Sequence, residues 1–428
     1  MLIEFRVENH RSLREEQVLS LEAVKSDAED GRLRVLDGSE AVLPAAALYG
    51  ANASGKSNVL SALRFMRDAV VHSHRLWAPD AGVPRDPFAW GSKRAEPSLY
   101  EIAFVLDGAR TEYGFLADDE RFLEEWLHVW PNGRKQVWYE RDGDSFKFGE
   151  HLKGENRVAE SVTRPNGLFL SAAIQNRHEQ LDPIFRWFRR MRTFNVPSLR
   201  GSDTFSFARL VSEDVFRWLV PDTVQQSLFP EIEPERSDRV DRFREFLRAA
   251  DVGIVDIRVQ NDEEASLGET RARRTRPRVF IQHKSSVPEA WLPLEEESHG
   301  TRQLFRLAPI VLECLDLGAL LVIDELERSF HPLLAVNIVR TFNDPTKNSK
   351  NAQLVFSTHD TNLLGTTLGD PSLRRDQVWL TEKDEEGSTV LYPLTDYKPR
   401  KAENLERGYL QGRYGAIPFL GDLAQVSK

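Results

Sequence analysis

Gly50-Ala51-Asn52-Ala53-Ser54-Gly55-Lys56-Ser57 is the stretch that decides the fold. Its spacing, GxxxxGK[ST], is that of a phosphate-binding loop, and each residue type answers a chemical need. Backbone N–H groups of such a loop wrap phosphate oxygens, and Gly55 lets the backbone approach them closely. Lys56 puts a cation on the β- and γ-phosphates of ATP, while the Ser57 hydroxyl is a ligand for Mg2+. Gly50 and Ser54 complete the expected phosphate contacts of the loop. The flanks agree. Residues 42–49 (VLPAAALY) form a short apolar run, and Val59, Leu60, Leu63, Phe65, Met66 and Val70 recur at helical spacing after the loop. Strand, loop and helix follow in the order a phosphate loop requires.

Further along the chain, Ala319 to Glu325 reads ALLVIDE. Five apolar residues predict a strand buried on both faces, ending at the ligand edge of an α/β sheet. Asp324 then stands where Mg2+ needs a carboxylate, and Glu325 where an attacking water needs a base. Upstream, residues 297–303 (ESHGTRQ) open a helix, with Ser298 as N-cap and Gly300 allowing close approach to an anion. Downstream, Phe356-Ser357-Thr358-His359 ends another short apolar strand, from which His359 can reach a γ-phosphate.

Around these motifs the chain predicts an α/β protein with an antiparallel β subdomain and an inserted helical lobe. Residues 2–8 (LIEFRVE) and 17–23 (QVLSLEA) read as a hairpin, and residues 98–148 as an antiparallel meander punctuated by DG and NG turns. Residues 179–250 carry helical patterns at FRWFRRMRTF, SEDVFRWLVPDTV and DRVDRFREFLRAAD. Short strands return at 253–259 and 279–283. The expected boundaries are 1–150 for the lobe with the phosphate loop and meander, 151–250 for the helical lobe, and 251–428 for the C-terminal lobe.

Composition narrows the class. The 428 residues hold 57 Lys plus Arg against 67 Asp plus Glu, a net charge of −10. That balance argues against a surface devoted to nucleic acid, while leaving room for a local basic groove. One cysteine, Cys314, excludes an internal disulfide framework and fits a reducing cytoplasm. The N-terminus has no secretory pattern, and Leu307 to Ile323, the most apolar stretch, is interrupted by Glu313 and Asp316, so no membrane partner is expected. Two basic stretches stand out: Arg271, Arg273, Arg274, Arg276 and Arg278, and the mixture of Arg186, Arg189, Arg190 and Arg192 with Trp187 and Phe188. Each reads either as a nucleic-acid contact or as a solvated hairpin tip and an amphipathic helix, respectively.

The series of motifs resembles the ABC-type ATPase heads of the clan that contains SMC, RecF and OLD proteins. More closely, it resembles the AAA15-type ATPases of two-gene phage-defence modules, such as RloA and AbiLi. The likeness runs through IEFRVENHRSL at 3–13, the phosphate loop with Asn52 and Asn58 as nucleotide contacts, FLRAADVGIVDI at 246–257, ESHGTRQLF at 297–305, IDELERSFHP at 323–332, RRDQVWLTEKD at 374–384 and GRYGAIP at 412–418. It implies an ABC-type P-loop fold and two heads that sandwich ATP, with Ser298 and Gly300 contacting the γ-phosphate on the partner's loop. It also implies a D-loop from Glu327 to Pro332, Gln175 as the glutamine linking Mg2+ to the other lobe, and Arg11 approaching the nucleotide. His299 departs from the pattern, since a small residue is common there in signature motifs. Function follows as expectation: an ATPase that senses or regulates a separate effector, plausibly a nuclease, in antiviral defence. With few residues after His359 and no evident metal-binding carboxylate constellation among them, an attached OLD-type nuclease domain is not expected. The rival from another class is a RecF-like clamp that binds DNA in maintenance. A transporter subunit fits the inserted lobe and the tail less well.

Overall fold

The computed structural model describes residues 1–24, 30–35, 41–198, 236–250, 253–260, 278–287, 289–328, 330–400 and 403–418. The chain divides into two compact units, one comprising Met1–Ser202, Cys314–Arg328 and Ala335–Lys428, the other Asp203–Glu313 and Ser329–Leu334.

In the first unit the chain starts as β1 (Leu2–Glu8), whose Phe5 and Val7 are buried while Glu4, Arg6 and Glu8 alternate outward. It pairs antiparallel with β2 (Gln17–Ser20), Phe5 opposite Leu19, so the opening hairpin forms as its alternation predicts. A small pair, β3 (Arg34–Val35) and β4 (Ala41–Val42), precedes β5 (Ala45–Gly50), which is buried along its whole length. Helix α1 (Lys56–His72) follows the loop, and Val59, Leu60, Leu63, Phe65, Met66 and Val70 all enter the core. Burying side chains of this size stabilises by about 1.5–3 kcal/mol each, so the helix is fixed by packing rather than by propensity.

Next comes the meander: β6 (Ser98–Leu106), β7 (Ala109–Ala117), β8 (Phe122–Trp130), β9 (Gln136–Asp142) and β10 (Ser145–Phe148). With β1 and β2 these make a seven-stranded antiparallel sheet in the order β10-β9-β8-β7-β6-β1-β2. Helices α2 (Asn156–Val162), α3 (Phe169–Gln175) and α4 (Asp182–Arg190) follow. The N-terminus of α3 is held by Glu125 of β8, which is fully buried. Its carboxylate accepts the Phe169 and Leu170 amides at 2.6 and 3.1 Å and the hydroxyls of Tyr113 and Tyr139 at 3.0 and 2.7 Å.

Residues 191–194 read as a continuation of α4, yet β11 (Arg192–Phe194) is a strand, parallel to β15 (Leu320–Ile323). Tertiary pairing overrides the local helical pattern. Strand β16 (Gln353–Ser357), β17 (Val378–Lys383) and β18 (Thr389–Pro393) complete a six-stranded sheet in the order β11-β15-β16-β5-β17-β18, parallel except for β18. Strand β5 lies between β16 and β17, far from both in sequence, and each parallel pair is joined by a crossover connection. Helix α7 (Pro332–Asn343) links β15 to β16, and α8 (Leu405–Leu410) lies beyond β18.

In the second unit, α5 (Arg236–Ala250) precedes a three-stranded antiparallel sheet of β12 (Ile254–Gln260), β13 (Arg278–His283) and β14 (Trp291–Pro293), and α6 (His299–Leu317) begins after it. Phe243 of α5 meets Phe305 of α6 edge-on at 5.1 Å. The helix expected at 212–224 and the arginines at 271–276 lie outside the described residues. No described helix is long and apolar enough to cross a membrane.

Candidate active site

The carboxyl edge of the parallel strands gathers the motif residues of the first unit. Ser357 is level with Leu48, Phe356 with Ile323, and Thr381 with Gly50, so three strand ends surround the loop that leaves β5. In open α/β sheets this edge is where ligands bind. The loop tolerates no bulk at two of its glycines. A Cβ on Gly50 would lie 2.5 Å from the Thr381 carbonyl oxygen, and one on Gly55 (φ +114°) 2.1 Å from the Thr389 hydroxyl.

Thr381 and Thr389 hold the loop from outside. The Ser54 and Thr381 hydroxyls are 2.6 Å apart, and the Thr389 hydroxyl donates to the Ser54 carbonyl at 2.8 Å. Thr389 also binds the opening hairpin: its amide donates to the Ser12 carbonyl at 2.7 Å, and the Asn58 side chain donates to the Ser12 hydroxyl at 2.6 Å. These threonines belong to no nucleotide motif, because they sit in β17 and β18, distant in sequence from the loop they hold. The run VWLT was the available signal for Thr381, a short stretch buried at all four positions, as in a strand covered on both faces.

Lys56 is buried and donates to the carbonyls of Gly50 and Ala51 at 2.7 and 3.0 Å. Burial lowers its pKa from 10.5 to about 8, against the opposing pull of Asp324, Glu327 and Glu325. The Ser57 hydroxyl donates to Asp324 Oδ1 at 3.0 Å, and the Ser357 hydroxyl donates to the same oxygen at 2.5 Å. Asp324 extends β15 by donating its amide to the Phe194 carbonyl at 3.0 Å.

Glu325 has left-handed backbone geometry, φ +53°, which costs a residue with a Cβ about 1 kcal/mol or more. Its amide donates to the Ser357 hydroxyl at 2.7 Å, so one serine orients both acids of the Asp-Glu pair. The Glu325 carboxylate stays partly exposed and lies 3.3 Å from the Arg328 guanidinium. Glu327 is committed elsewhere: it accepts the Thr358 hydroxyl at 2.7 Å and the His359 amide at 2.6 Å. A carboxylate engaged in two such bonds is a strut for the loop after β16, poorly suited to activating water. The His359 pKa is lowered, first by burial and then by Lys56, which favours the neutral imidazole.

The residues fit ATP and Mg2+. Ser57 and Asp324 offer adjacent oxygen donors to a hard cation that takes most of its remaining ligands from phosphate and water. Lys56 and the loop amides would hold the phosphates, and the metal, when bound, would neutralise charge on them. Within this chain, Ser357 ties the Glu325 amide to Asp324, and the His359 amide is held by Glu327.

A family model described as "AAA domain, putative AbiEii toxin, Type IV TA system" (AAA_21) matches residues 45–365, more than half of the chain. The chain belongs to this family. The AAA_21 match spans the loop at 50–57, the signature region, the Asp-Glu strand and His359. No curated protein sequence matches the chain. Among solved structures, the chain is similar to the SMC head domain from Thermotoga maritima, at 12% identity and TM-score 0.38, covering 92% of this chain and 98% of that one. It is also similar to an Smc head bound to the C-winged helix domain of ScpA, at 12% identity and TM-score 0.42, covering 91% and 96%. A third is an Smc head with an extended coiled coil bound to the C-terminal domain of ScpA, from Pyrococcus furiosus, at 13% identity and TM-score 0.38, covering 100% and 99%.

Other motif residues of this AAA_21 chain sit at helix ends and in loops of their own units. In the second unit Ser298 caps α6, accepting the Thr301 amide at 3.1 Å, with the Ser298 and Thr301 hydroxyls 2.9 Å apart. Gly300 lies in the first turn of that helix. In the first unit Gln175 is the exposed last residue of α3, and no hydrogen bond among the described residues ties it to the phosphate loop. Asn52 is exposed on the loop. Arg11 pairs with Asp86 at 3.0 Å and donates to the Ser198 carbonyl at 2.8 Å. The basic–aromatic helix α4 turns its aromatics inward: Phe188 is buried and Trp187 stacks on Phe104 at 4.2 Å.

Proposed function

We propose that this protein binds and hydrolyses ATP with Mg2+ as an ABC-type head that works in pairs. The observation that carries the reading is the convergence of Ser57 and Ser357 on Asp324 Oδ1, with the Glu325 amide on the same Ser357. Residues distant in sequence are thereby arranged as a metal-binding hydroxyl, a metal-binding carboxylate and a base beside them. Asp324 serves the metal, Glu325 activates water and His359 contacts the γ-phosphate. Gly50, Asn52, Ser54, Gly55, Lys56, Ser57 and Asn58 hold the nucleotide, with Gln175 linking the metal to the neighbouring lobe.

Ser298 and Gly300 act on the nucleotide of a second copy, which makes hydrolysis a property of the dimer. The AAA_21 description, with its toxin and antitoxin terms, supports a role in which this ATPase governs a separate effector, a nuclease, in antiviral defence. The AAA15-type motifs point the same way.

The test mixes a Lys56→Ala chain with a Ser298→Arg chain, each inactive alone. Random pairing leaves one intact site in half of the dimers, so activity should return to about a quarter of wild type. A mixture as dead as its components, with heterodimers present, means that Ser298 does not act in trans or that both sites must fire together, and wild-type hydrolysis by a monomer removes the paired-head model. For the effector, infected cells carrying the chain and its neighbouring gene should lose protection with Lys56→Ala. Undiminished protection would overturn the regulatory role.

A further inference from the structure

The sheet of β12, β13 and β14 has one closed face and one open face. Ile254, Ile257, Val279 and Ile281 are buried on the closed side, where each is at most 5% exposed. Alternation puts Arg258, Arg278, Phe280 and Trp291 on the other side. Arg258 and Arg278 are exposed, and Phe280 and Trp291 half-buried.

These four side chains form a continuous stack. The Arg258 guanidinium lies over the Trp291 ring at 4.6 Å and over Phe280 at 5.5 Å, while that of Arg278 lies over Phe280 at 5.5 Å. Arg258 pairs in register with Phe280, and Trp291 belongs to the next strand, so the Arg258 side chain crosses β13 to reach it. Neither arginine makes a salt bridge to a described residue. The nearby Asp256 is engaged by Arg244 at 2.9 Å.

We propose that this face binds single-stranded nucleic acid, with bases stacking on the Trp291–Arg258–Phe280–Arg278 ladder and phosphates meeting its two guanidiniums. Three physical points favour that occupant. Guanidiniums already flattened on rings lose little freedom when they take a phosphate. Bases stack on aromatic faces and on guanidinium planes alike, and only unpaired strands offer free base faces. The cations are local in a chain of net charge −10, so the charge complementarity belongs to this face and not to the molecule at large. The inference stands apart from ATP hydrolysis and survives its failure.

Fluorescence anisotropy of the full chain with labelled oligo(U) and oligo(dT), each about 20 nucleotides, tests it. Arg258→Ala/Arg278→Ala should weaken binding at least tenfold and flatten the salt slope by about 1.4, the value for two lost phosphate contacts on a single strand. Phe280→Leu should weaken binding several-fold with the slope unchanged, a signature that a generic cationic patch would not give. Arg258→Lys keeps the charge and should still weaken binding, because an ammonium does not stack as a plane. Comparing the two oligomers separates RNA from DNA as the ligand. Equal binding by a blunt duplex or by polyglutamate overturns the proposal, as does unchanged oligomer affinity in the folded double variant.

Discussion

Ser57 and Asp324 are 267 positions apart, yet the serine hydroxyl donates to the aspartate at 3.0 Å. The bond joins the first turn of α1 to the end of β15, and it exists because β5, β16 and β15 are adjacent parallel strands. The sheet order thus brings the phosphate loop and the acid pair to one point without any long side chain bridging them.

ATP binding should weaken as pH rises from 7 to 9. Lys56 has a pKa of about 8, and only its protonated form neutralises phosphate, so binding takes up a proton in this range. Calorimetry in buffers of different ionisation enthalpy should detect that uptake, and Lys56→Ala should abolish it with most of the affinity.

The same residue has a stability signature. An unfolded chain keeps this proton up to about 10.5, while the folded one releases it near 8, so the unfolded state binds more protons between those values. Wild-type stability should therefore rise relative to Lys56→Met as pH goes from 8 to 10, and Lys56→Met should be the more stable by about 1–3 kcal/mol at pH 7. Denaturation at several pH values, without nucleotide, measures both.

Two glutamates near the site should separate cleanly. Glu325→Gln should retain ATP while turnover falls roughly 10²-fold or more, as for loss of a general base. Glu327→Gln should instead cost about 1–3 kcal/mol of stability, because its amide nitrogen would replace an oxygen that accepts from Thr358 or His359. Single-turnover hydrolysis and urea unfolding, run on both variants, distinguish base from strut. Equal turnover losses would show that the strut also governs chemistry.

Replacing Glu125 should damage the fold well away from the nucleotide. Glu125→Ala strands two tyrosine hydroxyls and two helix amides in the core, and a loss of about 3 kcal/mol or more is expected. Chemical denaturation measures it, with a loss below about 1 kcal/mol contradicting the account.

The C-terminal helix should tune nucleotide affinity. The Tyr409 hydroxyl donates to the Ala416 carbonyl at 3.1 Å and lies beside the Gly50 backbone, while its ring meets Tyr49 edge-on at 5.5 Å. Tyr409→Phe keeps the ring and should raise the ATP KM about 2–10-fold with kcat unchanged, consistent with one lost hydrogen bond.

Much of this was legible in the chain because its signals were local. The loop at 50–57 carries its chemistry in adjacent residues, and the alternation in LIEFRVE and the meander declares strands. Residues 191–194 were misread, since a three-residue strand has too few side chains to show a period and is fixed only by β15. The support from Ser12, Thr381 and Thr389 was illegible for a similar reason: it depends on β17 and β18 lying beside β5. Ser357 stands in the motif FSTH, but its bonds to Asp324 and Glu325 depend on β15 and β16 lying side by side.

On the proposed role of Glu325 as the base, its left-handed backbone sets survival of the fold against survival of the activity. Glu325→Gly would relax the strained turn and remove the carboxylate in the same step, and Glu325→Asn would do so more gently. Any lineage in which turnover becomes a burden thus has a one-residue exit that leaves the fold undamaged. Inactive descendants of this protein would then be the more heat-resistant ones, and thermal robustness would be a poor guide to which copies still work.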